Sequence, residues 1–240
     1  MKRVLTAFAA LAAAAAFADG VSSSNVVGYQ SGIGVNDGYT PIGGAFVNIG
    51  EQVFPISNME ASGVADASLQ LWVVDSSLSS TSKAYYFNAY GDYPAGWFDE
   101  LGFDEIDVDI AQGSGVLLKT GTTGVTALQR GEVATNGVPP LAVNDGYTVL
   151  ANPYPVPLPI ANLTAAGVAD ASLQLWVVDS SLSSTSKAYY FNAYGDYPAG
   201  WFDELGFDEV SYSIPVGGAV LLKTGTTGVT LSIKSPITSL

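Results

Sequence analysis

The chain has no histidine and no cysteine. Those two absences remove Ser-His-Asp and Cys-His nucleophilic systems, and they leave no imidazole or thiolate to bind a metal. They also exclude disulfide staples, so the fold must be held by its core. Basic residues are scarce: eight Lys and Arg stand against 22 Asp and Glu, a formal charge of −14. A surface of that sign repels phosphate backbones, so nucleic acid is not an expected partner. After residue 17 no apolar run is long enough to cross a bilayer. No long amphipathic helical period emerges anywhere. The glycine-rich stretches lack the P-loop lysine and the dinucleotide fingerprint with its helix, and they read as turns.

What is present begins with an address. Lys2 and Arg3 precede an apolar, alanine-rich run, Val4–Phe17, which ends in the small-x-small site Ala16-Phe17-Ala18. This order is that of a secretory signal peptide over residues 1–18, with a mature start at Asp19. Without Lys2 and Arg3, six basic residues face 22 acidic ones, a formal charge of −16. The expected location is extracellular, at the cell surface or in a periplasm.

The dominant signal is internal. The 43 residues Gly63–Glu105 return unchanged at Gly167–Glu209, 104 positions later. Val116–Thr126 returns as Val220–Thr230, and Asn36–Thr40 as Asn144–Thr148. Each unit is about 100 residues, an ordinary domain size and far above a solenoid period. Two modules are expected, at 19–135 and 136–240, related by internal duplication. The join Thr135–Val143 (TNGVPPLAV) reads as a linker stiffened by two prolines.

Apolar residues make up 48% of the chain and charged ones 12%, with abundant Gly, Tyr, Val and Thr, which favours an all-β fold. Leu69–Asp75 (LQLWVVD) is the best strand. Leu69, Leu71 and Val73 share one face and Gln70, Trp72 and Val74 the other. Both faces are mostly apolar, so a central strand covered on two sides is predicted. Ala84–Tyr90 should pair with it across a Ser/Thr-rich loop, Ser76–Ser82. Pro55–Ser62 reads as a single helical turn closed by Gly63. Gly121–Gly124 reads as a hairpin loop into Val125–Gln129. Asn25–Gln30 is expected to be a short strand completing one module's sheet.

Two short motifs carry a resemblance. Ser23–Tyr29 (SSNVVGY) resembles the mature start of a group of uncharacterised secreted bacterial proteins. Gly146–Pro155 (GYTVLANPYP) is similar to the GWN-x-x-GNPYP element of β-rich modules in exported bacterial proteins, where a later glycine step leads to an apolar strand. Gly217-Gly218 before Val220–Lys223 matches that step. Repeat 1 departs from the pattern, with Gly43-Gly44-Ala45-Phe46 where repeat 2 has Ala151-Asn152-Pro153-Tyr154. The resemblance implies two tandem secreted β-sandwich-like modules and carries no known active site.

No residue is assigned to catalysis. The turn-rich segment Tyr90–Asp99 and its copy offer ligand-binding candidates: Tyr93, Trp97 and Asp99, and Tyr197, Trp201 and Asp203. Flat aromatic faces stack on sugar rings, and carboxylates accept from hydroxyls; packing inside the modules is the competing role for the aromatics. Asp104, Glu105, Asp107 and Asp109 are candidate ligands for calcium, a hard cation that carboxylate oxygens suit, although their spacing matches no EF-hand. Plain solvation of an acidic loop is the competing reading. The function these features favour is a non-catalytic secreted structural or adhesion protein of the cell surface or matrix. Its partners would be polysaccharide, cell-envelope components or further copies of itself. A pair of carbohydrate-binding modules, calcium-assisted, is the alternative. An acid-based glycosidase, which needs only two carboxylates, trails it.

Overall fold

The computed structural model describes residues 27–48, 51–133 and 137–237. The signal-peptide expectation, Asp19, and the first two residues of the Asn25–Gln30 strand lie outside them. Repeat 1 contains β1 (Val27–Val35), β2 (Gly38–Gly43), β3 (Val53–Pro55), β4 (Met59–Ser62), β5 (Leu69–Val74), β6 (Ser80–Phe87), β7 (Gly96–Phe98), β8 (Asp109–Ala111), β9 (Gly115–Thr120) and β10 (Val125–Glu132). Repeat 2 contains β11 (Leu141–Val143), β12 (Gly146–Ala151), β13 (Leu158–Pro159), β14 (Leu163–Ala166), β15 (Leu173–Val178), β16 (Ser184–Phe191), β17 (Gly200–Phe202), β18 (Ser213–Ile214), β19 (Ala219–Thr224) and β20 (Val229–Ile233). The fold is all-β, and among the described residues all strand pairs are antiparallel. The two repeats use the same order. Each has a five-stranded sheet, β2-β9-β5-β6-β7 or β12-β19-β15-β16-β17, a three-stranded sheet, β1-β10-β4 or β11-β20-β14, and a two-stranded ribbon.

The central strand behaves as its two apolar faces require. Leu69 and Leu71 are fully buried in the core of repeat 1, with Phe54, Ile56, Met59, Tyr86 and Leu118. Trp72 and Val74 face the other way, into a separate cluster that joins the repeats around Leu117, Val149 and Leu221. The five-stranded sheets thus turn their outer faces to one another, and each three-stranded sheet caps its own core. A fully buried leucine of this kind contributes roughly 1.5–3 kcal/mol.

Reciprocal backbone bonds fix the join. The Tyr39 amide donates to Ser180 O at 2.7 Å, and the Tyr147 amide donates to Ser76 O at 2.8 Å. Gly38 and Gly146, each at φ 103, precede those amides. A Cβ at either would stand 2.4 Å from the same serine carbonyl, so glycine alone fits. Gly43 donates to Gly217 O at 3.2 Å, and Ala151 to Gly113 O at 2.9 Å. Each bond has its counterpart in the other repeat, which gives the pair the character of a pseudo-twofold.

Several elements differ from their predicted form. Only Ile56–Asn58 is helical, a 3₁₀ turn, and Met59–Ser62 is a strand against β10. The serine loop shrinks because Asp75 Oδ1 accepts the amides of Ser77 and Ser79, at 2.8 and 3.0 Å, so β6 starts at Ser80. Gly121–Gly124 is not a hairpin loop: β9 already has β2 and β5 beside it, and the chain crosses to the other sheet. The end of the expected linker, Leu141–Val143, is β11 and pairs with β20. The segment from Val27 onward does complete the sheet of repeat 1, opposite β10. Among the described residues, repeat 2 has only the shorter pairing of Leu141–Val143. Pro139 and Pro140 stand at the positions of Ser31 and Gly32, Pro236 follows β20, and proline cannot donate to a ladder.

Candidate functional site

The outer corner of each repeat is built on the edge strand β7 or β17. Beyond Phe87 the chain forms a tight loop in which Tyr90 and Tyr93 exchange backbone bonds of 3.0 and 3.1 Å. Asn88 anchors its base: its amide reaches Asp66 Oδ1 at 2.7 Å, and its side chain reaches Val64 O at 3.0 Å. Asp66 is held below its ordinary value chiefly by that Asn88 amide. After β7 a second loop closes on Asp99. The Asp99 amide donates to Asp104 O at 2.8 Å, and Asp99 Oδ1 accepts the Phe103 amide at 2.9 Å. The Phe103 amide is the main reason the Asp99 carboxyl sits below its ordinary value. Gly102 lies on the Phe87 ring, where a Cβ would come within 2.9 Å, and Phe87 meets Phe98 edge-on with centroids 5.8 Å apart. The two loops therefore share one corner. Repeat 2 reproduces it, with Tyr194 and Tyr197 bonded in the same way and Asp203 Oδ1 accepting the Phe207 amide at 3.0 Å.

The predicted ligand residues divide sharply. Tyr93 and Tyr197 are exposed at the loop tips. Trp97 and Trp201 are not: each is 1% exposed. The Trp97 Nε1–H donates to Met59 O at 2.8 Å, and the ring meets Tyr86 edge-on at 5.3 Å. Trp201 does the same with Leu163 O and Tyr190. Their expected place in a ligand platform is corrected, because a three-residue strand alternates and its middle side chain faces the core. Asp99 and Asp203 spend one oxygen on loop amides, so they shape the corner.

What the sequence reading missed is the apolar side of that acidic loop. Leu101 and Phe103, with Tyr90 and Tyr93, are between 72 and 83% exposed, and so are Leu205, Phe207, Tyr194 and Tyr197. The available signal was leucine and phenylalanine set among carboxylates, DELGFDE, with no strand or helix period to take them inside.

The four calcium candidates are not brought together as a set. Among the described residues no three His, Cys, Asp or Glu side chains gather as a metal site. Asp107 Oδ2 instead accepts the Ser57 hydroxyl at 3.3 Å, and Asp109 lies exposed on β8. Asp104 and Glu105 are exposed on the loop between.

Clefts lie elsewhere on the described surface. A groove of about 500 Å³ at the join is lined by Ile33, Asn36, Val178, Tyr212 and neighbours, with no charged residue. Two smaller ones, of about 220 and 230 Å³, each hold a single carboxylate, Glu209 and Glu60. None of the three brings two carboxylates face to face. Among the described residues no helix is long and apolar enough to cross a membrane. No protein-family model, curated protein or solved structure matches the chain.

Proposed function

We propose that this chain is a non-catalytic secreted protein of the cell surface or matrix, structural or adhesive, which grips its target with two copies of one aromatic corner. The observation that carries this reading is the exposure of Tyr90, Tyr93, Leu101 and Phe103 together with their four copies. Soluble proteins seldom leave several large apolar side chains open at one place unless something covers them. The corners are stiff, because Asn88 and Asp99 tie both loops down, and binding by a preformed loop costs little ordering entropy. Two identical corners on one body raise avidity when both reach the same surface or polymer. The short motifs that resemble those of exported bacterial modules and the leader-like first 18 residues agree with an extracellular role.

Carbohydrate binding is the second reading. It is favoured by Tyr90 and Tyr93 flanking Asp92 at an exposed tip, since tyrosine faces stack on sugars and a carboxylate accepts from hydroxyls. One experiment bears on both. Wild type and a variant with serine at Tyr93, Phe103, Tyr197 and Phe207 are applied to native cell envelope and to insoluble polysaccharide. The wild type is retained and the variant is not, with unchanged melting. Wild-type protein that never binds either material, or a variant that binds as well, removes the corners from the function. Retention on polysaccharide alone selects the second reading.

A further inference from the structure

Charge is segregated along each repeat. From residue 84 to 118 the chain has seven carboxylates and no Lys or Arg; from 188 to 222 it has five and none. Asp92, Glu100, Asp104 and Glu105 are exposed in the same two loops that carry Tyr90, Tyr93, Leu101 and Phe103. Four of the five described lysines and Arg130 stand elsewhere and are engaged. Lys83 and Lys119 each lie 4.5 Å from the Trp72 ring, and Lys187 and Lys223 lie 4.5 and 4.6 Å from that of Trp176. Both tryptophans belong to the cluster that joins the repeats. Arg130 is bonded to Glu60 at 2.9 Å. Four lysines thus gather toward the join, where Asp37, Asp75, Asp145 and Asp179 also lie, whereas the stretch that forms each corner carries carboxylates and no Lys or Arg.

We infer that each corner docks a cationic, apolar polypeptide segment. Its leucine- or phenylalanine-like side chains cover Tyr90, Tyr93, Leu101 and Phe103, and its lysines or arginines face Asp92, Glu100, Asp104 and Glu105. This rests on the adhesion reading and names the partner's chemistry. Desolvated aromatic anchors carry most of the affinity of such a contact. The carboxylate rim speeds encounter and rejects partners of the wrong sign. A second copy of this chain fits poorly, because its corner carries the same charge and the same chemistry. An anionic glycan or lipid surface is repelled for the same reason.

The test uses the full chain without residues 1–18, immobilised, and three synthetic peptides of equal length. One is an amphipathic lysine–leucine peptide, one replaces its leucines by serine, and one replaces its lysines by glutamate. The variant L101S/F103S/L205S/F207S keeps every carboxylate, and its melting is compared with wild type. A second variant converts Asp92, Glu100, Asp104, Glu105 and their copies to amides. The lysine–leucine peptide binds wild type at least about tenfold more tightly than either control, and each variant loses about tenfold. Binding also weakens with salt for wild type and much less for the amide variant. Equal binding of the lysine–serine peptide, or an undiminished L101S/F103S/L205S/F207S protein, overturns the inference, since charge alone would then account for the contact. If wild type ignores all three peptides yet its corner-dependent retention on cell envelope stands, the cationic partner falls and the adhesion reading survives. If that retention is absent as well, both fall.

Discussion

Trp97 and Phe103 lie six residues apart and belong to opposite economies. Trp97 fills the core and satisfies Met59 O, whereas Phe103 touches mostly water. Trp97→Ala or Trp201→Ala is expected to cost roughly 3–5 kcal/mol of stability, the range for deleting a buried aromatic. Phe103→Ser is expected to stay within about 0.5 kcal/mol, as exposed substitutions do. Thermal or urea melts of the three variants check this, and a Trp97→Ala protein as stable as wild type would contradict its burial. A second expectation concerns Asp75 and Asp179. Each carboxylate is held below its ordinary value of 3.8, first by the hydroxyl and then by the amide of Ser77 or Ser181. A lowered folded-state pKa means the loop contribution is full above the unfolded value and is lost as pH falls below 3.8 through the folded one. Acid therefore loosens these two loops at the join only at the low end of the carboxylate range. Carbon-detected NMR titration should place both carboxyls below the ordinary value of 3.8, and Asp75→Asn with Asp179→Asn should flatten the acid limb of the stability curve.

At the scale of elements, the turn after the first sheet strand is solved twice with different residues. In repeat 2, Asn152 donates to Val156 O at 2.7 Å and to Ile214 O at 3.1 Å, and its Oδ1 accepts the Tyr154 amide at 2.9 Å. Repeat 1 has Gly44 at that position, and a Cβ there would collide with Phe54 at 2.3 Å. The amide comes instead from Gln129 on β10, which donates to Gly43 O at 2.8 Å and accepts the Ala45 amide at 3.1 Å. Position 129 corresponds to Ile233. Gln129→Ile alone leaves a buried carbonyl and amide unpaired, a cost of about 1–3 kcal/mol. Adding Gly44→Asn is not expected to restore it, because Asn152 bonds the Tyr154 amide and the Val156 and Ile214 carbonyls rather than the pair that Gln129 serves, and a Cβ at position 44 would meet the Phe54 Cβ at 2.3 Å; a double variant that melts like wild type would contradict this. This turn also shows what was legible. The two-faced pattern of Leu69–Asp75 announced a central strand because local alternation decides burial there. The Gly-rich loop before Val125 did not announce its crossing between sheets, because that depends on β9 having both edges occupied by remote strands. Trp97 was misplaced for a similar reason: turn residues on either side indicate a surface segment, yet one alternate side chain still points inward. Asp107 and Asp109 looked convergent in sequence, but Asp107 lies before β8 and accepts the Ser57 hydroxyl, whereas Asp109 opens that strand.

At the scale of the molecule, the join between the repeats carries a further expectation. Repeat 2 presents Gly146 and Tyr147 as one half of the contact, and the Asp179–Ser183 turn as the other. In the intact chain its own two halves meet the matching turn and strand of repeat 1. The matching pieces are identical: Asn36–Thr40 repeats as Asn144–Thr148, and the Ser76 turn repeats as the Ser180 turn. The buried centre is Leu117 against Val149 and Leu221, and Leu117 itself corresponds to Leu221. A lone repeat 2 therefore holds both complementary surfaces and would expose Trp176, Val178, Val149 and Leu221 if it stayed monomeric. An isologous contact needs only that a patch complement itself, and this one already does so across a pseudo-twofold. Residues 137–240 expressed alone are expected to form a homodimer, with the Tyr147 amide of each copy bonded to the other's Ser180 carbonyl. Leu221→Asp should convert that dimer to monomer, because a charge at the buried centre has no partner. In the full chain the same substitution should loosen the repeats without changing the corners. Sedimentation equilibrium of the isolated repeat and its Leu221→Asp variant decides the matter. A monomeric, well-folded wild-type repeat would mean that the join depends on features only repeat 1 supplies, such as Pro41 in place of Val149.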